Sequence, residues 1–129
     1  MKNYFVIGVM SGTSIDGVDL VYANFFYDKH WSFKILKSKT YEYDMDWQNI
    51  LKNLIDKDLD SIKLIDKNYT KLLSKYISSF IEEFSIKKID FVSSHGHTAL
   101  HYPSNSITYQ IGNLKELSNY IGLKVICDF

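Results

Sequence analysis

The sequence predicts an α/β fold with a mixed five-stranded sheet, three antiparallel strands followed by parallel strands, and helices on both faces. Two changes of pattern predict it. Strand-like apolar runs with short connections fill residues 4–43, and the spacing of apolar residues then becomes helical over 47–55 and about 60–85. Beyond residue 89, short apolar runs alternate with one short helical segment. We expect 1–129 to form one domain, since this length suits a single core.

The first three predicted strands form a meander. The run 4–10 is continuous enough to be buried on both faces, 17–26 alternates apolar and polar residues, and 31–43 is the third strand. A polar loop over 11–15 and a turn at 27–30 connect them. Connections this short join antiparallel neighbours.

Helices follow the meander. Asp44 or Asp46 is available as the N-cap of the first, and the second carries one wide apolar stripe on an otherwise solvated surface. The remaining elements are a strand, a polar loop, a short strand, a short helix and a last buried strand. They span 89–94, 94–106, 107–111, 114–121 and 123–127. Gly122 follows the last helix at a position that favours glycine.

This order of elements is that of the ribonuclease-H-like fold, which also forms each half of the actin, Hsp70 and sugar-kinase architecture. The fold alone does not define a function. Fifteen lysines balance fifteen acidic residues, and arginine is absent. A neutral chain favours neither nucleic-acid nor membrane-surface binding. The apolar run at the N-terminus is short for a signal peptide, and no run reaches membrane-spanning length, so we expect a cytoplasmic protein.

The loop after the first strand is the first candidate site. Its glycines allow close approach of the backbone to a ligand, and consecutive N–H groups in such a turn can bind an anion. Ser11, Thr13 and Ser14 add hydroxyl donors, and Asp16 and Asp19 could hold Mg²⁺. These parts suit a metal-bound polyphosphate. A hairpin turn with glycines for its geometry alone is the structural alternative.

The second candidate site is the polar segment after the fourth predicted strand. His95, His97 and His101 lie within seven residues, but no carboxylate or thiol stands close by to complete a metal site. A polar ligand-binding loop with His95 and His97 as hydrogen-bonding groups is favoured, and a structural role for His101. Asp128, at the end of the last strand, is the third candidate.

Four motifs resemble the anhydro-N-acetylmuramic acid kinase family. Residues 8–19 read GVMSGTSIDGVD and resemble that family's GxMSGTSxDGxD. Residues 94–103, SHGHTALHYP, are similar to its SHGQT…HxP segment. Residues 108–112, TYQIG, resemble its TxQIG, and 125–129, VICDF, resemble the start of its VxxDFR. The motifs occur in the family's order over the whole chain.

The resemblance implies ATP-dependent phosphorylation of 1,6-anhydro-N-acetylmuramic acid, with opening of the anhydro ring by water, in cell-wall recycling. By position, it implies that one loop binds the ATP phosphates, with Mg²⁺ held by Asp16 and Asp19. The residues of this loop are Gly12, Thr13, Ser14, Ile15, Asp16, Gly17, Val18 and Asp19. The substrate-binding residues it implies are Ser11, His95, His97, Thr98 and Asp128.

Two departures from the family pattern affect these expectations. His97 stands where the family has glutamine, which bears on sugar specificity. The chain ends at Phe129, where the family's next residue is arginine, and the catalytic base and second lobe are expected beyond it. We therefore expect no catalytic residue within this chain, and an incomplete, inactive fragment whose partner is the missing C-terminal lobe.

Two other functions are open from the sequence. One is a non-catalytic binding module of the same fold. The other is a metal-dependent nuclease using Asp16, Asp19, Asp90 and Asp128, which a neutral chain without arginine disfavours. A lobe of a larger protein should also expose the face that meets its partner, and self-association into a homo-oligomer through that face is a consequence.

Overall fold

The computed structural model describes residues 2–11, 15–102 and 107–128. The strands of these residues are β1 (Lys2–Ser11), β2 (Gly17–Asp28), β3 (His30–Glu42), β4 (Phe91–Ser94), β5 (His97–Tyr102), β6 (Ile107–Ile111) and β7 (Val125–Ile126). The helices are α1 (Met45–Lys52), α2 (Leu59–Glu83) and α3 (Glu116–Ile121), with a 3₁₀ turn at Leu54–Asp56 between α1 and α2. The predicted order of strands and helices is confirmed, apart from β5.

The main sheet has five strands in the order β3-β2-β1-β4-β7. β2 is antiparallel to both β1 and β3, whereas β1 is parallel to β4 and β4 to β7. The predicted fold class is confirmed, because this is the mixed sheet of a ribonuclease-H-like α/β lobe. The carboxyl ends of β1, β4 and β7 meet at one edge of the sheet, where ligands bind in open α/β folds.

Local sequence sets where the helices begin and end. Of the two candidate N-caps, Asp44 begins α1, and its Oδ1 accepts a hydrogen bond from the Trp47 N–H at 2.8 Å. Asp58 caps α2 in the same way. Gly122 ends α3 with a φ of 68°, as predicted. None of the described helices is long and apolar enough to span a membrane.

The core lies between α2 and one face of the main sheet. Strands contribute Ile7, Val9, Val18, Leu20 and Val92, and α2 contributes Ile62, Tyr69, Leu73, Ile77 and Phe80. Leu51 of α1 and Leu117 of α3 join the same cluster. Burial of these apolar side chains is the main stabilising contribution to the fold.

The other face of the main sheet is open. Cross-strand pairing places Tyr4, Phe25 and Phe33 in one row on it, and these side chains are 38%, 37% and 63% exposed. Trp31 and Ile35, also on this face, are more than half exposed. The sequence predicts helices on both faces, whereas the three described helices all contribute to the core on one face. We call this second surface the open face.

A second, two-stranded sheet replaces the predicted loop over 94–106. β5 pairs antiparallel with β6, with His97 opposite Ile111. The expectation of a loop is therefore wrong for residues 97–102, because polar residues suit a half-exposed strand when a partner strand is available. Residues 103–106 lie outside the described residues. The pairing places His97 and Thr98 at a fixed position beside the end of β1.

Candidate functional site

The candidate site lies where β1 and β4 end. Ser11 is the last residue of β1, and His95 follows β4 directly. The His95 N–H donates to the Val9 carbonyl at 3.1 Å, which ties the segment after β4 to the end of β1. The structure thus brings together residues that are more than 80 positions apart in the sequence, which is what strand-end placement predicts.

A row of four polar groups runs inward from this edge. The His97 Nδ1 lies 2.8 Å from the Ser11 Oγ, which lies 2.9 Å from the Tyr43 hydroxyl. The Tyr43 hydroxyl lies 2.5 Å from that of Tyr69 on α2. We call these four groups the hydroxyl row. Sequence analysis missed both tyrosines, because it counted Tyr69 among the apolar positions of the long helix and Tyr43 as the end of a strand.

Burial determines the charge state of the hydroxyl row. It raises the pKa of the Tyr69 and Tyr43 hydroxyls above their ordinary value and lowers the pKa of the His97 imidazole below 6.5. All three side chains are therefore neutral near pH 7. The row offers hydrogen bonds and no charge.

A cleft of about 250 Å³ lies beside the row, between β5 and the segment from α1 to the 3₁₀ turn. Ser11, Ile15, Leu51, Lys52, Leu54, Ile55, His95, His97, Thr98 and Ala99 line it. Apolar side chains make up half of this lining, and no carboxylate is among these described residues. Lys52 supplies a positive charge. The lining suits a partly apolar ligand that carries oxygen acceptors.

Asn113 connects the second candidate site, at His95, with the third, at Asp128. Its Nδ2 donates to the His95 carbonyl at 3.0 Å and lies 3.5 Å from the Asp128 Oδ1. Gly96 makes this approach possible, since a Cβ there would lie 2.8 Å from the Asn113 Nδ2 and its φ is 77°. Asp128 is thus linked to His95 through Asn113. Asn113 was missed, because nothing in its local sequence distinguishes it from a loop asparagine.

Asp66 of α2 holds the end of β6. Its Oδ1 accepts a hydrogen bond from the Gly112 N–H at 2.7 Å, and the Tyr109 hydroxyl lies 3.4 Å from its Oδ2. Burial raises the pKa of this carboxyl, although its hydrogen bonds act in the opposite direction. The exposed fraction of Asp66 is only 4%. Sequence analysis placed Asp66 on the solvated side of the helix, and only a contact 46 residues away in sequence shows otherwise.

Packing and backbone geometry shape the described end of the loop between β1 and β2, residues 15–18. Gly12, Thr13 and Ser14 lie outside the described residues. A Cβ at Gly17 would lie 2.4 Å from the Tyr41 carbonyl oxygen, so this glycine is needed for the close approach of β3. The Val18 side chain is fully buried in the core. Ile15 has a φ of 56°, which is strained for a β-branched residue.

The two predicted magnesium ligands are exposed carboxylates at the start of β2. Asp16 precedes the strand, and its carbonyl accepts from the Tyr43 N–H at 2.9 Å. Asp19 accepts from the Thr40 hydroxyl and pairs across the sheet with Met10. Among the described residues, no group of three or more His, Cys, Asp or Glu side chains could hold a metal ion. Carboxylate oxygens of this kind fit Mg²⁺ when phosphates and water complete its coordination.

The four carboxylates of the nuclease alternative do not converge. Asp90 precedes β4 and accepts from the Phe5 N–H at 2.7 Å, whereas Asp128 follows β7. Since β4 and β7 are parallel, these two residues lie at opposite ends of the sheet. A two-metal site needs its ligands within a few ångströms of one another.

Together, the mixed sheet and the polar groups at its strand ends define a ribonuclease-H-like lobe of the kind that sugar kinases contain. The comparison with known families is more specific. The family model for anhydro-N-acetylmuramic acid kinase matches residues 4–129. The chain belongs to this family, and the resemblance of its four motifs is confirmed.

Curated relatives agree with the family match. The anhydro-N-acetylmuramic acid kinase of Sulfurimonas denitrificans is 36% identical over 97% of this chain and 35% of the relative. Those of Shewanella pealeana and Haemophilus influenzae are 31% and 30% identical over the whole chain, which corresponds to 36% and 35% of their lengths. The chain thus spans about a third of the length of the curated relatives it matches.

Proposed function

We propose that this chain is the N-terminal, nucleotide-phosphate-binding lobe of a kinase that acts on 1,6-anhydro-N-acetylmuramic acid. The observation that carries the proposal is the meeting of Ser11, His95 and His97 at one sheet edge, directly beside the Asp16-bearing loop. Nucleotide phosphates would bind at Gly12–Asp19, and the sugar would bind in the cleft beside the hydroxyl row. Bound Mg²⁺ would neutralise the charge that develops on the transferred phosphoryl group.

The residues of this chain would bind and orient both substrates but not activate the attacking water. Among the described residues, the cleft lining contains no carboxylate that could act as a general base. Family members are about three times as long, so the base and the groups that hold adenine would come from the rest of such a protein. We propose that the chain alone is inactive, and that the complete kinase acts in the cytoplasm, where ATP is available, in the recycling of cell-wall sugars.

The open face suggests where the rest of a longer protein would pack. Its aromatic and aliphatic side chains form an apolar surface on β1, β2 and β3, which is unusual for a surface that remains in water. We propose that the segments following β7 in the longer relatives cover it. A second copy of this chain is the competing occupant, and would make the chain a homo-oligomer.

The first test is a calorimetric titration of the chain with Mg·ATP. Millimolar binding is expected, because one lobe supplies only the phosphate contacts, and Asp16→Asn should abolish it. Asp28→Asn is the matched control, since Asp28 is an exposed carboxylate at the opposite end of β2. Equal affinity in the Asp16 and Asp28 variants would contradict the proposed phosphate site.

A chimera tests the rest of the proposal. Residues 1–129 would replace the corresponding third of the Sulfurimonas denitrificans kinase, with ADP release measured in the presence of the anhydro sugar. Activity is expected in the chimera and none in the chain alone. Trp31 fluorescence should shift to shorter wavelength as the open face becomes covered. A folded chimera that binds ATP without turnover would favour the alternative, a non-catalytic binding module. Sedimentation of the chain alone tests the homo-oligomer.

A further inference from the structure

Counting hydroxyl hydrogens against hydrogen-bond contacts in the hydroxyl row indicates which nitrogen of His97 carries the hydrogen. Its three contacts, of 2.5, 2.9 and 2.8 Å, join Tyr69 to Tyr43, Tyr43 to Ser11, and Ser11 to the His97 Nδ1. Each contact needs one hydrogen. With Nδ1 as an acceptor, the three hydroxyl groups supply one hydrogen to each contact and no hydrogen is left over.

The opposite assignment leaves the Tyr69 hydrogen with no acceptor of its own, because Ser11, its other neighbour in the row, already accepts from His97 and donates to Tyr43. If Nδ1 carried a hydrogen, it would donate to Ser11, Ser11 to Tyr43 and Tyr43 to Tyr69. The Tyr69 side chain is fully buried, and no described residue outside the row accepts from its hydroxyl. A buried hydroxyl without an acceptor is costly. The row therefore favours the His97 tautomer that carries its hydrogen on Nε2.

The Nε2 hydrogen is then available to a ligand. His97 lines the cleft, and no described residue accepts a hydrogen bond from its Nε2. Among the described residues of the lining, Lys52 supplies a positive charge and no carboxylate supplies a negative one, so the electrostatics of the cleft favour an oxygen acceptor on the ligand.

We propose that His97 is a substrate-positioning residue whose Nε2–H, fixed by the Tyr69–Tyr43–Ser11 row, donates a hydrogen bond to an acceptor oxygen of the sugar. Hydroxyl, carbonyl and carboxylate oxygens all qualify. Only the identity of the sugar rests on the proposed function. The tautomer itself follows from the contacts of the chain.

The proposal also explains why histidine can stand where the family has glutamine. A glutamine side chain offers one acceptor, Oε1, and one donor group, Nε2. It can accept from Ser11 and donate into the cleft, as the Nε2–H tautomer of His97 does. The two side chains thus present the same pair of hydrogen-bonding groups in the same order.

The tautomer can be read without any ligand. In the ¹⁵N-labelled chain, two-bond ¹H–¹⁵N correlations at neutral pH should show His97 with its hydrogen on Nε2. Ser11→Ala removes the donor to Nδ1 and should give a mixture of tautomers. Ser78→Ala, an exposed serine of α2, is the matched control and should leave the pattern unchanged. A hydrogen on Nδ1 in the unsubstituted chain, or no change in Ser11→Ala, would overturn the proposal.

Titration with 1,6-anhydro-N-acetylmuramic acid tests the donor. The Nε2–H resonance should shift on binding, His97→Gln should retain affinity within about threefold, and His97→Leu should weaken it about tenfold, as expected for one lost hydrogen bond. Circular dichroism establishes that both variants are folded. Equal affinity of the leucine and glutamine variants would overturn the donor role. So would a response to Mg·ATP but not to the sugar, a result that leaves the phosphate site of the proposed function intact.

Discussion

The two faces of the main sheet are built from the same strands but have different surroundings. On the core face, Ile7, Leu20 and Val92 are fully buried under α2. On the open face, Phe33 and Trp31 are 63% and 55% exposed. Both faces are apolar, so the alternation of the strands does not distinguish them. The difference comes from the described helices, which all contribute to the core on one face.

The comparison shows what an apolar strand pattern can and cannot predict. An apolar residue at every second position predicts that a face can be buried, but not which segment buries it. The open face keeps the composition of an interior while lying on the surface of the described residues. An apolar surface of this size indicates contact with another segment or chain.

The largest expected difference between the faces is in stability. Phe80→Ala should lower the free energy of unfolding by about 3–5 kcal/mol, because it leaves a cavity in the core. Phe33→Ala, the matched substitution on the open face, should cost less than about 1 kcal/mol, because the ring is already largely exposed. Urea unfolding monitored by circular dichroism measures both. Comparable losses would mean that the open face is covered in solution, and the losses should then depend on protein concentration.

Much of the fold could be predicted from the sequence because its signals are local. Asp44 as N-cap, Gly122 as helix stop and the strands of the meander all depend on neighbouring residues. The β5–β6 hairpin was missed because a polar strand is recognisable only through its partner. The four family motifs indicate the candidate site, but not the residues that support it.

The supporting residues of the site were missed for a common physical reason. Tyr69 lies at an apolar position of α2, and its hydroxyl matters only because Tyr43 lies opposite it. Asp66 and Asn113 act through contacts with backbone groups that are distant in sequence. No periodicity reports which polar atoms meet in the folded chain.

A smaller effect is expected from Asp66, a carboxyl that is buried on the core side. Its pKa is raised, so the folded state binds its proton more tightly than the unfolded state does. Stability from this group is therefore fully present below the ordinary value of 3.8 and declines as pH rises through the raised value. Asp66→Asn should remove that part of the pH dependence while retaining an acceptor for the Gly112 N–H. Asp28→Asn, on an exposed residue, should not.

The difference between Asp66→Asn and Asp28→Asn is measured as the slope of the free energy of unfolding against pH in the acid range. A slope that is unchanged in Asp66→Asn would mean that the hydrogen bonds from Gly112 and Tyr109 outweigh burial, so that the pKa is not raised. Because asparagine keeps an acceptor for the Gly112 N–H, the Gly112 amide should stay protected in Asp66→Asn, and hydrogen exchange at that amide checks this.

The smallest expected effect concerns the edge of the core face. Lys39 of β3 lies 2.8 Å from both Glu83 carboxylate oxygens at the end of α2, and both side chains are more than a third exposed. The hydrogen bond from Lys39 lowers the pKa of Glu83, so this stabilisation is present above the ordinary value of 4.5 and is lost as pH falls through the lowered value. Lys39→Met should destabilise the chain least of these substitutions, since water and salt screen exposed ion pairs.

Measuring stability at high salt separates the charge effect of Lys39 from the packing of its side chain. The difference between Lys39→Met and the unsubstituted chain should vanish in about 1 M salt, where exposed charges a few ångströms apart are strongly screened. The Phe80→Ala loss should persist there, because it comes from a cavity. Lys34→Met, on an exposed lysine of β3 with no ion pair among the described residues, is the control. The Lys39 Nζ lies 5.0 Å from the centroid of the Tyr41 ring. A loss in Lys39→Met that persists at high salt would show that contacts other than the ion pair account for the effect of Lys39.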